Sequence, residues 1–547
     1  MPQQPQLLSA SAYRLIGQRL GRPDTAAKSN GSIQYGIDVR VPGMRVAAVA
    51  IAPTVGGRVR KVDDRRARAI AGVADVVVLD DAVAVTAADF WTARKGVAAL
   101  AIDWDLGPNA SMSTDAISAD MARVSRSGSA LVAKDSGRQP RGMARRIEAT
   151  YTVPMLAHAT MEPMNAVAWV RKDACEIWTG TQVPARVQAS AAKITGLAPA
   201  QVSVYNQYLG GGFGRRLEYD VTDQAVRIAM HVGYPVKLVW TREQDFALDY
   251  YRPPYHDRIE ATLGDDGYPS SWLHRDTSDS VSERWAPATL GKDGLDLDCV
   301  DAAADTPYGF ANQRVEWVRH HLPAGMRTGW WRGVGATHNL FVVESFIDEL
   351  AHAAGRDPVE YRRVLLARNP KARALLDSVA SRFGWGKPCA PRHGCGVAIG
   401  VSMATLVCAM VEVEVSGQGD VRIRRAVAAV DCGAVVNPNM IEAQIKGGLV
   451  FGWSAALHGE VTHREGRVEQ HNFNDYRVLR MPEVPRIEGY AMPSSEAPTG
   501  IGEPPTAIAA PCLANAVFAA TGVRVRELPL QRALLASGAG AFDQVTG

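Results

Sequence analysis

Strand-like runs alternate with helical runs along almost the whole of this chain, and that alternation confines it to layered α+β architectures. RIEATYTV, AVAWV and ACEIWTG read as strands, while VPARVQASAAKITG and DVTDQAVRIAMHVG carry helical spacing. Upstream, the β-rich pieces SIQYGIDV, MRVAAVAIAP, ADVVVLDDAVAVT and AIDWD accompany two short helical stretches, so residues 20–106 form a compact α+β unit behind a polar lead-in, 1–19. Residues 107–143, rich in Ser, Gly, Asn and Arg, are expected to be a linker. The rest, 144–547, divides into two α+β parts, about 144–330 and 331–547. A long helix is predicted over 339–354 (NLFVVESFIDELAHAA), and others over 438–457 and 511–521.

Composition removes several function classes. Sixty Lys and Arg against 57 Asp and Glu give +3 over 547 residues, too neutral for a groove that tracks nucleic acid. The longest uncharged apolar run, 397–411, is shorter than the ~18 residues of a membrane helix, and no secretory signal opens the text. A soluble, cytoplasmic chain is expected, with a periplasmic site open to it by export alongside a signal-bearing partner. The seven cysteines are scattered without a CxxC, so neither iron–sulfur clusters nor a zinc site is encoded by spacing. No GxxxxGK[ST] and no GxSxG occurs, and Arg215 stands where GxGxxG needs its last glycine. His458 and His463 are spaced i, i+5 instead of the i, i+4 of a zinc helix.

Five motifs remain, each with an ordinary structural reading. In Leu209-Gly210-Gly211-Gly212-Phe213-Gly214-Arg215-Arg216 the backbone lacks Cβ atoms and can turn N–H groups toward an anion or oxo group, with Phe213 as one wall. Alone it is a tight strand-to-helix turn, with Arg215 and Arg216 paired to Glu218 and Asp220 on the surface. Gly500-Ile501-Gly502-Glu503-Pro504-Pro505 holds one carboxylate in a stiff loop, as a general base requires, or is an exposed loop. Arg332, in Trp330-Trp331-Arg332-Gly333-Val334-Gly335, can fix an oxyanion or a planar substrate, or cap a buried turn. Gln182 offers an amide donor and acceptor. Asp431-Cys432-Gly433, Asn437-Pro438, Gln444 and Gly447-Gly448 read as a turn feeding a helix with a small-residue face.

Their order along the chain resembles the molybdenum-binding subunits of the xanthine dehydrogenase/aldehyde oxidase family, in particular the isoquinoline 1-oxidoreductase-type large (beta) subunits of bacteria. The likeness runs over 13–530 and includes RPDTAAKSNGSIQYGIDVRVPGM, LGGGFGRRLEYD, ESFIDELAHAAGRDP and NFNDYRVLRMPEVP. It implies an α/β hammerhead domain over 20–106, followed by molybdopterin-binding α+β domains. It implies molybdenum held by a pterin, as molybdopterin cytosine dinucleotide, with no protein side chain ligating the metal. Glu503 falls on the catalytic Glu that takes the proton from a metal-bound hydroxyl, whose oxygen then attacks an electron-poor sp² carbon. Gln182, Gly211, Gly212, Phe213, Gly214, Gln444 and Gly502 fall on the cofactor side, and Arg332 and Phe213 on the substrate side.

Trp331 and Thr337-His338 depart from the aromatic and Pro-Gln pattern of the xanthine enzymes. Of the two motifs that wrap the pterin in isoquinoline-type subunits, Thr-x-Gly-Ser does not occur, and Gly-Gln-Gly occurs once, at 417–419 and away from the region that carries the wrap. Ser416-Gly417-Gln418-Gly419-Asp420 reads as a hairpin turn. A separate chain is therefore expected to supply the wrap. Electrons are expected to leave through a separate [2Fe–2S] subunit, with a cytochrome c among the candidate acceptors. The resemblance implies hydroxylation of an N-heteroaromatic compound or aldehyde with oxygen from water. The alternative is a truncated, non-catalytic partner subunit without the cofactor.

Overall fold

The run ADVVVLDDAVAVT folds as an antiparallel hairpin of Val73–Val78 and Ala82–Ala87, and its second strand is buried at every position. A strand apolar on both faces must be covered on both, so it belongs inside a sheet. Arg45–Ile51 takes its other edge and pairs in parallel with Val236–Val239. The computed structural model describes residues 8–137, 145–291 and 293–530. The outer parts of the expected lead-in, linker and C-terminal region, at 1–7, 138–144 and 531–547, lie outside the described residues.

One seven-stranded sheet thus runs Val202–Asn206, Cys175–Thr179, Asn165–Val170, Val236–Val239, Arg45–Ile51, Ala82–Ala87, Val73–Val78. Strands from 20–106 and from the following region share it, so the packing crosses the boundary expected at 106. Helices Pro184–Thr195 and Asp220–Ala229 bury Val187, Ala191, Val226 and Ile228 against Ala166, Ile177 and Leu238 of this sheet. The second sheet has the order Leu131–Ser136, Gln313–Arg319, Pro269–Ser278, Tyr255–Leu263, Arg145–Val153. Its first strand corrects the linker expectation. Residues 107–137 hold helix Thr114–Ser127, capped by the Ser113 hydroxyl on the Ala116 N–H, and then that edge strand. Ile117 and Met121, one helical turn apart, are buried.

The third sheet runs His393–Ser402, Thr405–Val415, Val421–Asp431, Arg486–Ala491. The apolar run 397–411 is a hairpin within it, turning at Met403 and Ala404 with φ of 50° and 59°. Ser416 to Asp420 form the next hairpin turn, as expected. Between the second and third sheets lies the long helix Ala336–Ala353, buried over residues 336–351. Its one fully enclosed glutamate, Glu344, accepts from Arg362 Nε (2.9 Å), Tyr308 OH (2.5 Å) and the Ile399 N–H (2.9 Å), so the charge does not stand alone in the core. Helix Ala509–Thr521 seats on Gly394 and Gly396, where a Cβ would lie 2.1 and 2.2 Å from the carbonyls of Ala516 and Cys512. Among the described residues no helix is long and apolar enough to cross a membrane.

Candidate active site

The glycine-rich loop lies between strand Val202–Asn206 and helix Asp220–Ala229, where the sequence places it. Its base is locked from below. Glu162 accepts from the Gly210 N–H (2.8 Å), the Ile37 N–H (2.9 Å) and Asn165 Nδ2 (2.9 Å). Arg216 pairs with Glu162 at 2.8 Å and donates to the carbonyls of Gly211 (2.7 Å), Gly180 (3.2 Å) and Glu162 (3.1 Å). Arg215 forks onto Asp220, both contacts 3.0 Å, and reaches Asp249 at 3.1 Å. Both arginines are buried, which corrects the surface pairing read from sequence. Glu218 instead pairs with Arg284. Buried guanidiniums that satisfy several carbonyls and a carboxylate rigidify the turn.

Above this base the backbone is bare. None of the N–H groups of residues 211–214 donates to a protein acceptor among the described residues. Phe213 takes the left-handed conformation, φ 57°, and its ring stacks on Phe451 at 4.5 Å, which in turn stacks on Trp331 at 4.5 Å. A Cβ on Gly212 would lie 2.9 Å from Gln182 Oε1, so the exposed Gln182 amide sits against the loop.

Arg332 joins the remaining pieces. Its N–H donates to the Phe213 carbonyl (2.8 Å), Nε to the Gly502 carbonyl (2.7 Å) and Nη2 to Gln444 Oε1 (2.8 Å). Gln444 belongs to helix Pro438–His458, started by Asn437 and Pro438 as expected. That helix takes the Glu503 turn close through Gly448, where a Cβ would lie 2.8 Å from Pro505 Cβ, and Gly452, where it would lie 2.5 Å from the Thr506 carbonyl. The Asp431-Cys432-Gly433 turn steadies the segment that enters the same loop: Thr499 N–H donates to the Cys432 carbonyl (2.9 Å), and Gly433 leaves no room for a side chain against Ala497. Glu503 stands at the start of the short helix Pro504–Ala507, and its carboxylate bonds none of that helix's N–H groups. It is half-buried, and burial, offset by the Arg332 charge and the Gly333 N–H, holds its carboxyl above the usual glutamate range.

Glu503, Gly502, Arg332, Gln444 and Phe213 are thus brought into one connected constellation, and Gln182 and Gly212 touch each other on its loop side. Sequence reasoning missed Glu162, Asp249 and Phe451. Burial of an acid and stacking of an unremarkable Phe leave no local signal, and the Arg216–Glu162 contact spans 54 residues.

The residues present fit a cofactor that brings its own metal ligands. No Cys or His cluster faces this constellation among the described residues, while unmet backbone donors, an amide and a glycine-lined rim do. Gly447 and Gly502 are exposed, with open space where a Cβ would stand. Residues 135–366 and 385–485 match models of the molybdopterin cofactor-binding domain. The beta chain of isoquinoline 1-oxidoreductase from Brevundimonas diminuta is 31% identical, covering 96% of this chain and 69% of that protein. The chain belongs to the xanthine dehydrogenase/aldehyde oxidase family of molybdenum-binding oxidoreductase subunits. Within this family, a nicotinate dehydrogenase chain of Pseudomonas putida is 30% identical over 97% of this chain and 47% of its own length. The family fold is shared with quinoline 2-oxidoreductase from Pseudomonas putida 86, at a TM-score of 0.80 and 15% identity over 96% of this chain and 98% of that one. The cofactor of this xanthine dehydrogenase/aldehyde oxidase family member is molybdenum carried by molybdopterin.

Proposed function

We propose that the chain is the catalytic subunit of a hydroxylase that places water-derived oxygen on an electron-poor sp² carbon of an N-heteroaromatic compound or an aldehyde. The observation that carries this reading is the Arg332 junction, which holds a half-buried carboxylate at the edge of a loop with unmet backbone donors. Gln182, the N–H groups at 211–214, Gln444 and Gly502 would hold the cofactor, in its cytosine dinucleotide form. When bound, that cofactor supplies activation of water and a sink for two electrons. Glu503 is the general base and receives a proton on its carboxylate oxygen. Phe213, propped by Phe451 and Trp331, forms one wall beside the bound cofactor. Arg332 uses Nε and Nη2 for positioning, and Nη1, which has no acceptor among the described residues, is the group left to face a substrate. Electrons leave through a [2Fe–2S] partner, because the cysteines here have no cluster spacing, and pass to an acceptor such as cytochrome c. The exposed rim at Gln182, Gly447 and Gly502 is where a partner chain completes the cofactor's surroundings.

Expression alone and together with the genomic neighbours tests this. Molybdenum near one equivalent per chain in the co-expressed complex, with dye-linked oxidation of a heteroaromatic or aldehyde, is the expected result. A complex that assembles without molybdenum, or carries it and turns over no member of either class, overturns the proposal and favours the non-catalytic partner.

Arg332→Ala removes two charge-assisted hydrogen bonds of about 1.5–3 kcal/mol each. An expected loss of roughly 10–100-fold in kcat follows, because the Glu503 loop is no longer tethered. Loss of the Arg332 charge also removes a lowering influence on the Glu503 carboxyl, so the acid limb of the rate profile moves to higher pH. A purely structural role would lower the rate without moving that limb.

A further inference from the structure

Away from the molybdopterin site, the inward face of the second sheet carries an arrangement that hydrophobic packing does not explain. Along Tyr255–Leu263 and Pro269–Ser278 the buried positions alternate, and Tyr255, Ile259 and Trp272 fill them as a core strand should. Asp257, His274 and Asp276 occupy the same face and are equally buried. Tyr255 pairs with Ser278 and Arg258 with Arg275, so the register sets Asp257 directly opposite Asp276. Like charges facing each other across a strand pair are destabilising at a surface, and inside a core far more so. Several other enclosed acids meet guanidiniums (Glu344 meets Arg362, Glu162 meets Arg216 and Asp249 meets Arg215), and Asp296, which meets none, is bonded through both oxygens by Ser280 and Ser282. Asp257 and Asp276 meet none among the described residues. Asp257 Oδ1 has His274 Nε2 at 2.8 Å and Asp276 Oδ2 has the Ser278 hydroxyl at 2.8 Å, while Asp257 Oδ2 and Asp276 Oδ1 have no hydrogen-bond partner.

The long helix closes the cluster from above with His338, which is fully buried and stacked on Tyr255 at 3.5 Å. Neither of its ring nitrogens has a hydrogen-bond partner. The Cys299 carbonyl lies near the ring, but it takes the Asn339 amide at 2.8 Å. His338 Nε2 stands 3.9 Å from Asp276 Oδ1, too far for a hydrogen bond. One ligand atom each from Asp257, Asp276 and His338 lies within 4.8 Å of the other two. Two bonds of about 2.0–2.2 Å to nitrogen and oxygen span at most ~4.4 Å, so an ion holds these donors once the side chains draw in by a few tenths of an ångström.

We propose that Asp257, Asp276 and His338 bind a divalent first-row transition ion of the zinc or manganese type, as a structural site separate from the molybdenum centre. Two carboxylates and a dication sum to zero charge, which removes the electrostatic conflict between the facing strands. The nitrogen and oxygen donor set suits these ions better than magnesium or calcium, which prefer oxygen alone. His274 then serves as the outer partner that orients a ligating carboxylate. A proton shared between the two aspartates would relieve their repulsion but would leave the His338 lone pair unmet. The site ties the first turn of helix Ala336–Ala353 to the second sheet, six residues after Arg332, and so steadies the segment that carries the Arg332 junction.

The test uses the full chain with whatever subunits co-purify, prepared without chelator and dialysed against metal-free buffer. Elemental analysis is expected to find about one equivalent of zinc or manganese per chain in addition to molybdenum. Anomalous scattering from wild-type crystals at the corresponding edge should place it between Asp257, Asp276 and His338, a readout that needs no variant to fold. Asp276→Asn and His338→Gln should each lose the ion while molybdenum per chain is retained. A wild-type protein that holds neither ion and takes up neither Zn²⁺ nor Mn²⁺ on titration overturns the proposal. So does an anomalous peak located elsewhere, or an ion retained in both variants.

Discussion

Glu503→Gln is expected to assemble, bind molybdenum and lose turnover by ~10²–10⁴-fold, the range for removal of a general base. The substitution keeps size and hydrogen-bonding shape, and the loop is held by contacts that do not involve the carboxylate. Gly502 is fixed through its carbonyl by Arg332, Pro504 and Pro505 set the turn, and the Glu503 backbone carbonyl accepts from the Thr506 N–H at 2.8 Å. What the variant lacks is a site for the proton. The pH dependence separates this role from a structural one. Burial raises the Glu503 carboxyl above its ordinary value of 4.5, and a base works only when deprotonated. Wild-type turnover should therefore rise with pH along an acid limb whose midpoint lies above 4.5, and the residual rate of the variant should show no such limb. Gel filtration, molybdenum content and the rate profile together decide it. Unchanged turnover, or a variant that retains the limb, removes Glu503 from the chemistry.

Much of the fold and of this site could be read in the amino-acid order. Period-two runs became strands except SIQYGIDV, which turns as the short 3-10 helix Gly36–Asp38, the predicted helices exist with ends shifted by a few residues, and the glycine and proline motifs converge in space. The failures share a cause. The segment TDAISADMARVSRS hides its core face, Ile117 and Met121, among Ser, Asp and Arg, so composition read it as a linker although a single amphipathic stripe suffices to dock a helix. Arg215 and Arg216 looked solvated because the acids nearest in sequence offered surface partners, whereas Asp249 and Glu162 reach them only through the tertiary fold. In each case charge suggested solvent, and a partner distant in sequence made burial possible.

Gly214 offers the sharpest stability test of how the site is assembled. Its φ of 113° lies where L-residues are strained, and a Cβ there would lie 1.6 Å from the Trp330 carbonyl oxygen and 3.0 Å from His158 Nε2. Neither neighbour can give way easily. The Trp330 carbonyl is held by His158 Nε2 at 3.0 Å, His158 Nδ1 by Asp249 at 2.9 Å, and Asp249 by the buried Arg215 at 3.1 Å. In Gly214→Ala the loop must therefore lift, which breaks the Arg332 N–H to Phe213 carbonyl contact and unseats Phe213 from Phe451. A destabilisation of about 4 kcal/mol or more is expected, at the upper end for single substitutions, together with loss of molybdenum. Gly196→Ala is the matched control. It also has a left-handed φ, 75°, at a helix C-terminus, but nothing lies within 4 Å of its added Cβ, so only backbone strain of about 1–2 kcal/mol applies. Denaturant midpoints and molybdenum content of the two variants, measured side by side, distinguish close backbone approach from conformational strain. If both variants melt alike and both keep the metal, the junction between the glycine loop and the Trp330 segment is not what holds the site together.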